Sequence, residues 1–247
     1  MKISIITVCY NSEATITETL KSVQAQTYPD VEHIIVDGKS KDSTLQIVSA
    51  YPHIAKMISE KDAGIYDAMN KGVALATGEV IGILNSDDLY ADNTVLEDVM
   101  RCFNEDKNLQ ILYGNLVYVK KDDIGKVVRK WKSGNYHGKF FEYGNVPPHP
   151  ALFVRSSVYK EAGNFNQQYR LSADYEFMLR IFKRYSYKVK YINRLMVRMR
   201  MGGATNKSLQ NIINGNKEII KAWKDNGLQM PFICMPVKFL KRILQFI

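Results

Sequence analysis

Over its first hundred residues the chain alternates short apolar runs with stretches whose apolar residues recur every three or four positions. That rhythm predicts parallel strands joined by crossover helices. Residues 2–8, 33–37, 55–58 and 80–84 read as strands, and the last, Val80-Ile81-Gly82-Ile83-Leu84, has no polar position, as expected of a strand buried on both faces. Between them, Asn11 and Ser12 stand where a cap belongs before Ile16, Leu20 and Val23, and Asp42 and Ser43 precede Leu45, Ile47 and Val48. Residues 65–76 give a third helical segment that stops before Gly78.

After Phe103 the rhythm changes. Residues 111–119 and 127–131 are β-rich around a polar turn and predict a hairpin, and residues 134–150 form a loop rich in Gly, Pro and aromatic residues. A short apolar run at 151–154 precedes two helices, one opened by Ser156 or Ser157 and one by Ser172. Residues 187–199 are again strand-like, Met201 to Thr205 read as a flexible loop, and a long helix spans 209–226 with Gly227 at its end. The predicted fold is α/β, a mostly parallel central sheet flanked by helices. Its expected organisation is a ligand-binding α/β half over 1–105, a second half of the same domain over 106–205, and a helical extension over 206–247.

Composition narrows the class. A 247-residue chain that is 46% hydrophobic has a core, which argues against disorder. Cys9, Cys102 and Cys234 are an odd number at wide spacing, so neither a disulfide framework nor a zinc site is expected, and a reducing compartment is. The N-terminus lacks the apolar core of a signal peptide, which points to the cytoplasm. The formal charge of +9 predicts attraction to anions such as nucleotide phosphates or an acidic membrane surface. Nucleic acid is not expected, because the basic residues form no aromatic-interleaved stripe.

From Pro236 the tail carries Val237, Phe239, Leu240, Ile243, Leu244 and Ile247 on one helical face and Lys238, Lys241, Arg242 and Gln245 on the other. A helix over 236–247 is too short to cross a bilayer, yet long enough to lie in an anionic interface and hold the protein peripherally at a membrane. The alternative is that its apolar stripe packs on the domain.

Four polar clusters follow the predicted strands: Thr7 to Asn11, Asp37-Gly38, Glu60 to Gly64, and Asn85-Ser86-Asp87-Asp88. In a doubly wound sheet these ends share one edge and border one crevice. Adjacent carboxylates there suit a hard cation, although Asp88 or Asp92 also fits a cap for the helix near Thr94. No G-x-G-x-x-G follows the first strand and no Walker lysine motif occurs, so neither a dinucleotide nor a P-loop triphosphate site is supported.

The order of the blocks Ile34 to Thr44, Asp62 to Gly72 and Leu84 to Asp88 resembles the family-2 glycosyltransferases, inverting enzymes of the GT-A fold, from Ile5 to about Gly203. The resemblance implies that Thr7, Tyr10, Asn11, Asp37 and Asp62 surround the base and ribose of a UDP- or GDP-linked sugar. Lys71 would meet the diphosphate with Asp67 holding it, or form an ordinary surface pair. Asn85-Ser86-Asp87 stands at the Asp-x-Asp position, with Asp87 holding Mg²⁺ or Mn²⁺ and Asn85, which replaces an acid, turned to ribose. Asp174 matches the catalytic base at the first turn of a helix, where the helix dipole favours negative charge, and Ala173 stands where the family often has Glu. Arg180 and the loop from Arg198 to Gly203 are candidate phosphate contacts or simply solvated charge, and His149 lies in the acceptor loop in a structural role.

The Gln-x-x-Arg-Trp motif of processive synthases is missing around both tryptophans. The resemblance therefore implies single additions to a saccharide or polyprenyl-linked acceptor in cell-surface polysaccharide synthesis at the inner membrane face. The competing readings are a catalytically silent nucleotide-sugar-binding subunit, given Asn85 and Ala173, and a sugar nucleotidyltransferase, whose Gly-rich N-terminal loop is absent.

Overall fold

The computed structural model of the chain describes residues 1–202 and 208–245. In chain order its strands are β1 (Ile3–Cys9), β2 (Val31–Asp37), β3 (Ile54–Ser59), β4 (Val80–Ile83), β5 (Leu89–Tyr90), β6 (Leu109–Val119), β7 (Val127–Trp131), β8 (Leu152–Arg155) and β9 (Lys188–Arg200). The helices are α1 (Ile16–Gln24), α2 (Thr44–Ser49), α3 (Ile65–Leu75), α4 (Val95–Glu105), α5 (Ser156–Ala162), α6 (Ala173–Lys183), α7 (Leu209–Asp225) and α8 (Cys234–Leu244). One sheet joins all the described strands in the order β3-β2-β1-β4-β8-β6-β9-β5, with β7 paired to β6.

The first four positions in sequence, β1 to β4, are mutually parallel. β8 then runs antiparallel between β4 and β6, and β9 is parallel to β6. Because β1 is buried on both faces, it alternates its apolar side chains between two cores. Ile6 and Val8 pack with Tyr66 and Met69 of α3 and Phe177 of α6, while Ile3 and Ile5 join Val95, Val99 and Phe103 of α4. Gly72 lets α3 settle onto β1, since a Cβ there would overlap Ile6 Cγ2.

Polar groups inside this sheet are bonded, as their desolvation demands. Ser4 donates to Glu32 Oε2 (2.5 Å) and accepts from Gly78 N (2.8 Å). Thr7 Oγ1 meets His33 Nε2 at 3.0 Å, and His33 Nδ1 meets His53 Nε2 at 3.0 Å. Burial and the neighbouring His53 pull the His33 imidazole down to about 3. An unfolded imidazole takes its proton near the ordinary value of about 6.5, so between those limits the unfolded chain binds more protons. The stability held above that unfolded value is therefore lost as pH falls, by at most about 1.4 kcal/mol per pH unit. The urea midpoint is expected to drop between pH 7 and pH 5 and to do so less steeply in His33→Asn; equal slopes in the two proteins would contradict this.

Three features depart from the sequence expectations. β5, only two residues long, was not anticipated, and β8 runs against its neighbour β4. The tail helix begins at Cys234 rather than Pro236, with the proline in the first turn, where its missing N–H is tolerated. It also packs the opposite way round from the alternative considered for it: Lys238 and Lys241 lean inward, while Phe239, Leu240, Ile243 and Leu244 are exposed. Gln245, just beyond α8, accepts from Lys130 N through its carbonyl and from Arg129 Nε (2.7 Å) through its side chain. The expectations for Gly203 to Thr205 and for Ile247 lie outside the described residues.

Candidate active site

The loops leaving β1 and β2 are bonded to each other side chain to backbone. Asn11, in a left-handed conformation at φ 49°, donates its N–H to Ser40 Oγ (2.8 Å) and accepts from Lys41 N (2.9 Å). Ser12 N donates to Thr44 Oγ1 and Glu13 N to Asp42 Oδ2. Asp37 lies wholly buried beneath this junction and accepts from Ser40 N (2.9 Å), Ser59 Oγ (2.7 Å) and Ser40 Oγ. The loop after β3 closes over the same place: a Cβ on Gly38 would stand 3.0 Å from Asp62 Oδ2 and 3.3 Å from Tyr10 Cδ2. The Tyr10 side chain is 60% exposed above it.

The loop after β4 is fastened to the first of these loops and to α1. Ser86 Oγ meets Ser12 Oγ at 2.9 Å, Thr15 Oγ1 donates to Ser86 O, and Thr19 Oγ1 donates to Asp88 O (2.7 Å). From the far side, Arg200 of β9 donates to Asp87 O (2.7 Å) and pairs with Glu18. Asn85 Nδ2 reaches Asp88 Oδ2 at 3.1 Å, whereas Asn85 Oδ1 and Asp88 Oδ1 are buried with no partner. Burial and the adjacent Asp87 push the Asp88 carboxyl well above the ordinary carboxylate range. Asp92, not Asp88, accepts from Thr94 N just ahead of α4.

Helix α3 joins these loops to the second half of the sheet. Its entry requires Gly64 at φ 143°, in the region favouring glycine. Tyr66 OH donates to Asp174 Oδ1 (2.9 Å), Asn70 makes a two-way pair with the Phe165 backbone, and Lys71 Nζ meets Asp62 Oδ1 at 2.6 Å. Burial and the charge of Asp174 raise the Tyr66 phenol well above its ordinary value, so it remains a donor.

Asp174 sits in the first turn of α6, and the chain leading into it is held from α7. Glu218 accepts from Arg170 N (3.0 Å), Leu171 N (2.9 Å) and Ser172 N (2.9 Å), while the Ser172 hydroxyl turns to Gly215 O. Ser172 thus occupies the cap position without making the side-chain cap. Removing an acceptor shared by three N–H groups leaves donors unsatisfied, so Glu218→Ala is expected to lose about 2 kcal/mol of stability. Urea denaturation measures it, and Glu218→Gln should recover part.

Several candidates are engaged by protein groups. Thr7 presents no surface to the crevice, its hydroxyl being bonded to His33. Lys71 pairs with Glu60, Asp62 and Asp67, and those carboxylates raise its pKa, so it fixes the Asp62 loop. Arg180 pairs with Glu176 and donates to the carbonyls of Gly163 and Asn164. Arg198 donates to Ile124 O. His149 is buried edge-on to Phe165 at 5.5 Å, and burial lowers its pKa against the opposing pull of Asp174. Arg200, among the candidate phosphate contacts, is buried against Glu18 and Asp87 O; the sequence reading assigned no role to Tyr66, Glu218 or Glu18.

The family model described as glycosyl transferase family 2 matches residues 4–189. The chain belongs to that family. An uncharacterized glycosyltransferase of Mycobacterium tuberculosis is 32% identical over 186 residues, 72% of this chain and 68% of the relative. A PGL/p-HBAD biosynthesis glycosyltransferase of Mycobacterium bovis is 29% identical over 194 residues, 77% of this chain and 73% of the relative. Among solved structures, S. aureus TarS 1-349 in complex with UDP superposes with a TM-score of 0.70 at 20% identity, covering 100% of this chain and 72% of that one. The mannosyltransferase PcManGT from Pyrobaculum calidifontis in complex with GDP-Man and Mn²⁺ gives 0.68 at 15% identity, covering 98% and 69%. The fold of this family-2 glycosyltransferase is accordingly GT-A.

Oxygen donors dominate the Asn85–Asp88 loop of the glycosyltransferase, and two of them, Asn85 Oδ1 and Asp88 Oδ1, lack protein partners. This donor chemistry fits Mg²⁺ or Mn²⁺. No cluster of three His, Cys, Asp or Glu side chains able to hold a metal unaided occurs among the described residues.

Proposed function

We propose that the chain moves a single sugar from a UDP- or GDP-linked donor to a hydroxyl of a saccharide or lipid-linked acceptor, with inversion, in cell-surface polysaccharide or glycolipid assembly. The observation that carries this reading is the double attachment of α3, which holds the donor-side carboxylate Asp62 through Lys71 and the base candidate Asp174 through Tyr66. One helix thereby fixes the spacing between the two halves of the reaction.

The exposed Tyr10 ring offers a face for the nucleobase, with Asn11 and Asp62 beside it and Asp37 holding the loop beneath. Asp87, aided by Asn85 and Asp88, would hold the divalent cation, which supplies positive charge to the departing diphosphate. Asp174 keeps one oxygen on Tyr66 and takes the acceptor hydroxyl proton on the other. The acceptor oxygen bonds to the anomeric carbon from the face opposite the diphosphate, the bond from that carbon to phosphate oxygen breaks, and the nucleoside diphosphate leaves. Neutral His149 and Phe165 pack beside this base and exclude water.

No described helix is long and apolar enough to cross a membrane. The exposed apolar stripe of α8 and the net charge of +9 support seating on the anionic inner face of the plasma membrane instead.

A panel of nucleotide-sugars with Mn²⁺ tests the reading. One UDP- or GDP-sugar is expected to raise the melting temperature, corresponding to about 2.7 kcal/mol when present at about 100 times its Kd, and to be consumed when acceptor is added. Nucleotide binding without turnover of any donor would favour a silent binding subunit. The stripe is tested separately: deleting residues 236–247 should release the protein from anionic vesicles, and undiminished binding would rule the tail out as anchor.

A further inference from the structure

A cavity of about 430 Å³ opens between the chain entering α6 and one face of α7, lined by Arg170, Leu171, Asn211, Asn214, Lys217 and Glu218. Its volume falls within the roughly 300–1,000 Å³ of small-ligand sites. The chain itself fixes how near the base candidate it lies. Leu171 precedes Asp174 by three residues, so their Cα atoms are at most about 11 Å apart. The wall is held as well as near: Glu218 accepts from the N–H groups of Arg170 (3.0 Å), Leu171 (2.9 Å) and Ser172 (2.9 Å), and Ser172 Oγ donates to Gly215 O (3.1 Å).

The lining carries two cations against one acid. Glu218 is that acid, and both of its oxygens are engaged by the backbone donors. Arg170 and Lys217 come from different elements, and neither forms an ion pair among the described residues. Their neighbours do, Arg180 with Glu176 (2.9 Å) and Lys221, one turn along α7, with Asp225. A cleft lined by one sign of charge focuses its field and draws in ions of the other sign. The Arg170 guanidinium adds geometry, because its planar fork pairs two-pronged with a carboxylate or a phosphate.

The rest of the lining suits a sugar. Gln210 Nε2 donates to Asn214 Oδ1 (2.9 Å), which turns the amide nitrogen of Asn214 into the available donor, and Asn211 contributes a second amide. Leu171 supplies an apolar patch for the C–H face of a ring. A bare inorganic anion would answer the cations but leave the amides and Leu171 uncovered.

We propose that this cavity binds an acidic sugar of the acceptor, one bearing a carboxylate or a phosphate, with Arg170 and Lys217 on the anion and Asn211 and Asn214 on its hydroxyls. The adjoining sugar unit then brings its hydroxyl to Asp174. This inference rests on the glycosyltransferase reading with Asp174 as base, and it names the acceptor class, an anionic saccharide.

Titration of the ¹⁵N-labelled full chain, followed by NMR, tests it. The probes are glucuronic and galacturonic acids, glucose and galactose phosphorylated on the primary hydroxyl, the two neutral sugars, and inorganic phosphate. At least one acidic sugar should bind about tenfold more tightly than its neutral parent and than inorganic phosphate, shifting the amide signals of Arg170 to Asp174. A preference confined to the uronic acids assigns the anion as carboxylate, and one confined to the sugar phosphates assigns it as phosphate. Arg170→Gln and Lys217→Gln should each reduce the preference, Arg170→Lys should retain part of it, and the double glutamine variant should erase it. Both side chains are exposed, so these variants should fold. Equal binding of acidic sugars and their neutral parents overturns the inference, as does inorganic phosphate binding as tightly as the sugars, or a preference that survives the double variant. UDP and GDP titrations of wild type, run in parallel, separate the two readings. Nucleotide binding without any acidic-sugar preference strikes the acceptor inference alone, whereas failure to bind nucleotide strikes the glycosyltransferase reading itself.

Discussion

Asp174→Asn is expected to lower sugar transfer by a factor of about 10³ while leaving nucleotide affinity within about twofold. Asparagine matches the shape of the side chain and its Oδ1 still accepts from Tyr66 OH, the bond made at 2.9 Å in the native protein. It cannot take a proton from an acceptor hydroxyl. The Glu218 clamp on residues 170–172 keeps the start of α6 in place, so the variant should fold normally. Single-turnover rates with titrations of UDP and GDP separate the two effects. Loss of both transfer and nucleotide binding would mean that Asp174 supports the donor site, and unchanged turnover would remove it as the base. Tyr66→Phe gives a graded companion: its transfer rate should fall by about tenfold, the worth of one hydrogen bond to a charged group.

Asp87→Asn is expected to cost transfer about 10² or more and to abolish the dependence of donor binding on added Mn²⁺. The reason is local. Asp87 is the half-buried acid of a loop whose backbone is fixed by Arg200, Thr15 and Thr19, so a change of charge there is not absorbed by loop movement. Asp88→Asn should behave differently, because Asp88 is wholly buried and bonded to Asn85, and its replacement disturbs the loop rather than its outer charge. Calorimetric titration of donor with Mn²⁺ and with EDTA distinguishes them. Equal donor affinity of Asp87→Asn in both buffers is the predicted result, and a preserved Mn²⁺ response would place the cation elsewhere.

The parallel half of the sheet was legible because strands buried on both faces leave uninterrupted apolar runs, as in Val80 to Leu84, and because their polar ends must share one edge. The hairpin of β6 and β7 was legible from its polar turn. β5 was not, since two residues between Asp88 and Ala91 carry no period, and the antiparallel direction of β8 depends on partners far away in sequence, on β4 and β6. The Asp67–Lys71 pair of α3 was visible from its spacing of four, but only the fold shows Asn70 reaching Phe165 and Lys71 reaching Asp62. Thr7 was drawn to the crevice by its place near a strand end, whereas its hydroxyl is held by His33 inside the sheet. A strand-end threonine at zero exposure is indistinguishable in sequence from one facing a ligand.

The amphipathic tail shows the same limit in another form. Its two faces could be read from spacing, but not which of them turns inward, because that depends on the Tyr175 ring, Gly144 and the Tyr143–Asn145 loop. Glu218 was unreadable for a related reason: an acid in the middle of a predicted exposed helix gives no sign that three backbone donors from another segment converge on it.

A single attack on the anomeric carbon, activated by one carboxylate and with no covalent glycosyl-enzyme, requires inversion. The configuration of the newly made linkage tests it most directly. With whichever donor of the panel is consumed, the anomeric proton coupling of the first-formed product, read by NMR, should show the configuration opposite to that of the donor. A product that retains the donor's configuration would contradict the assignment of Asp174 as base and require an enzymatic nucleophile instead.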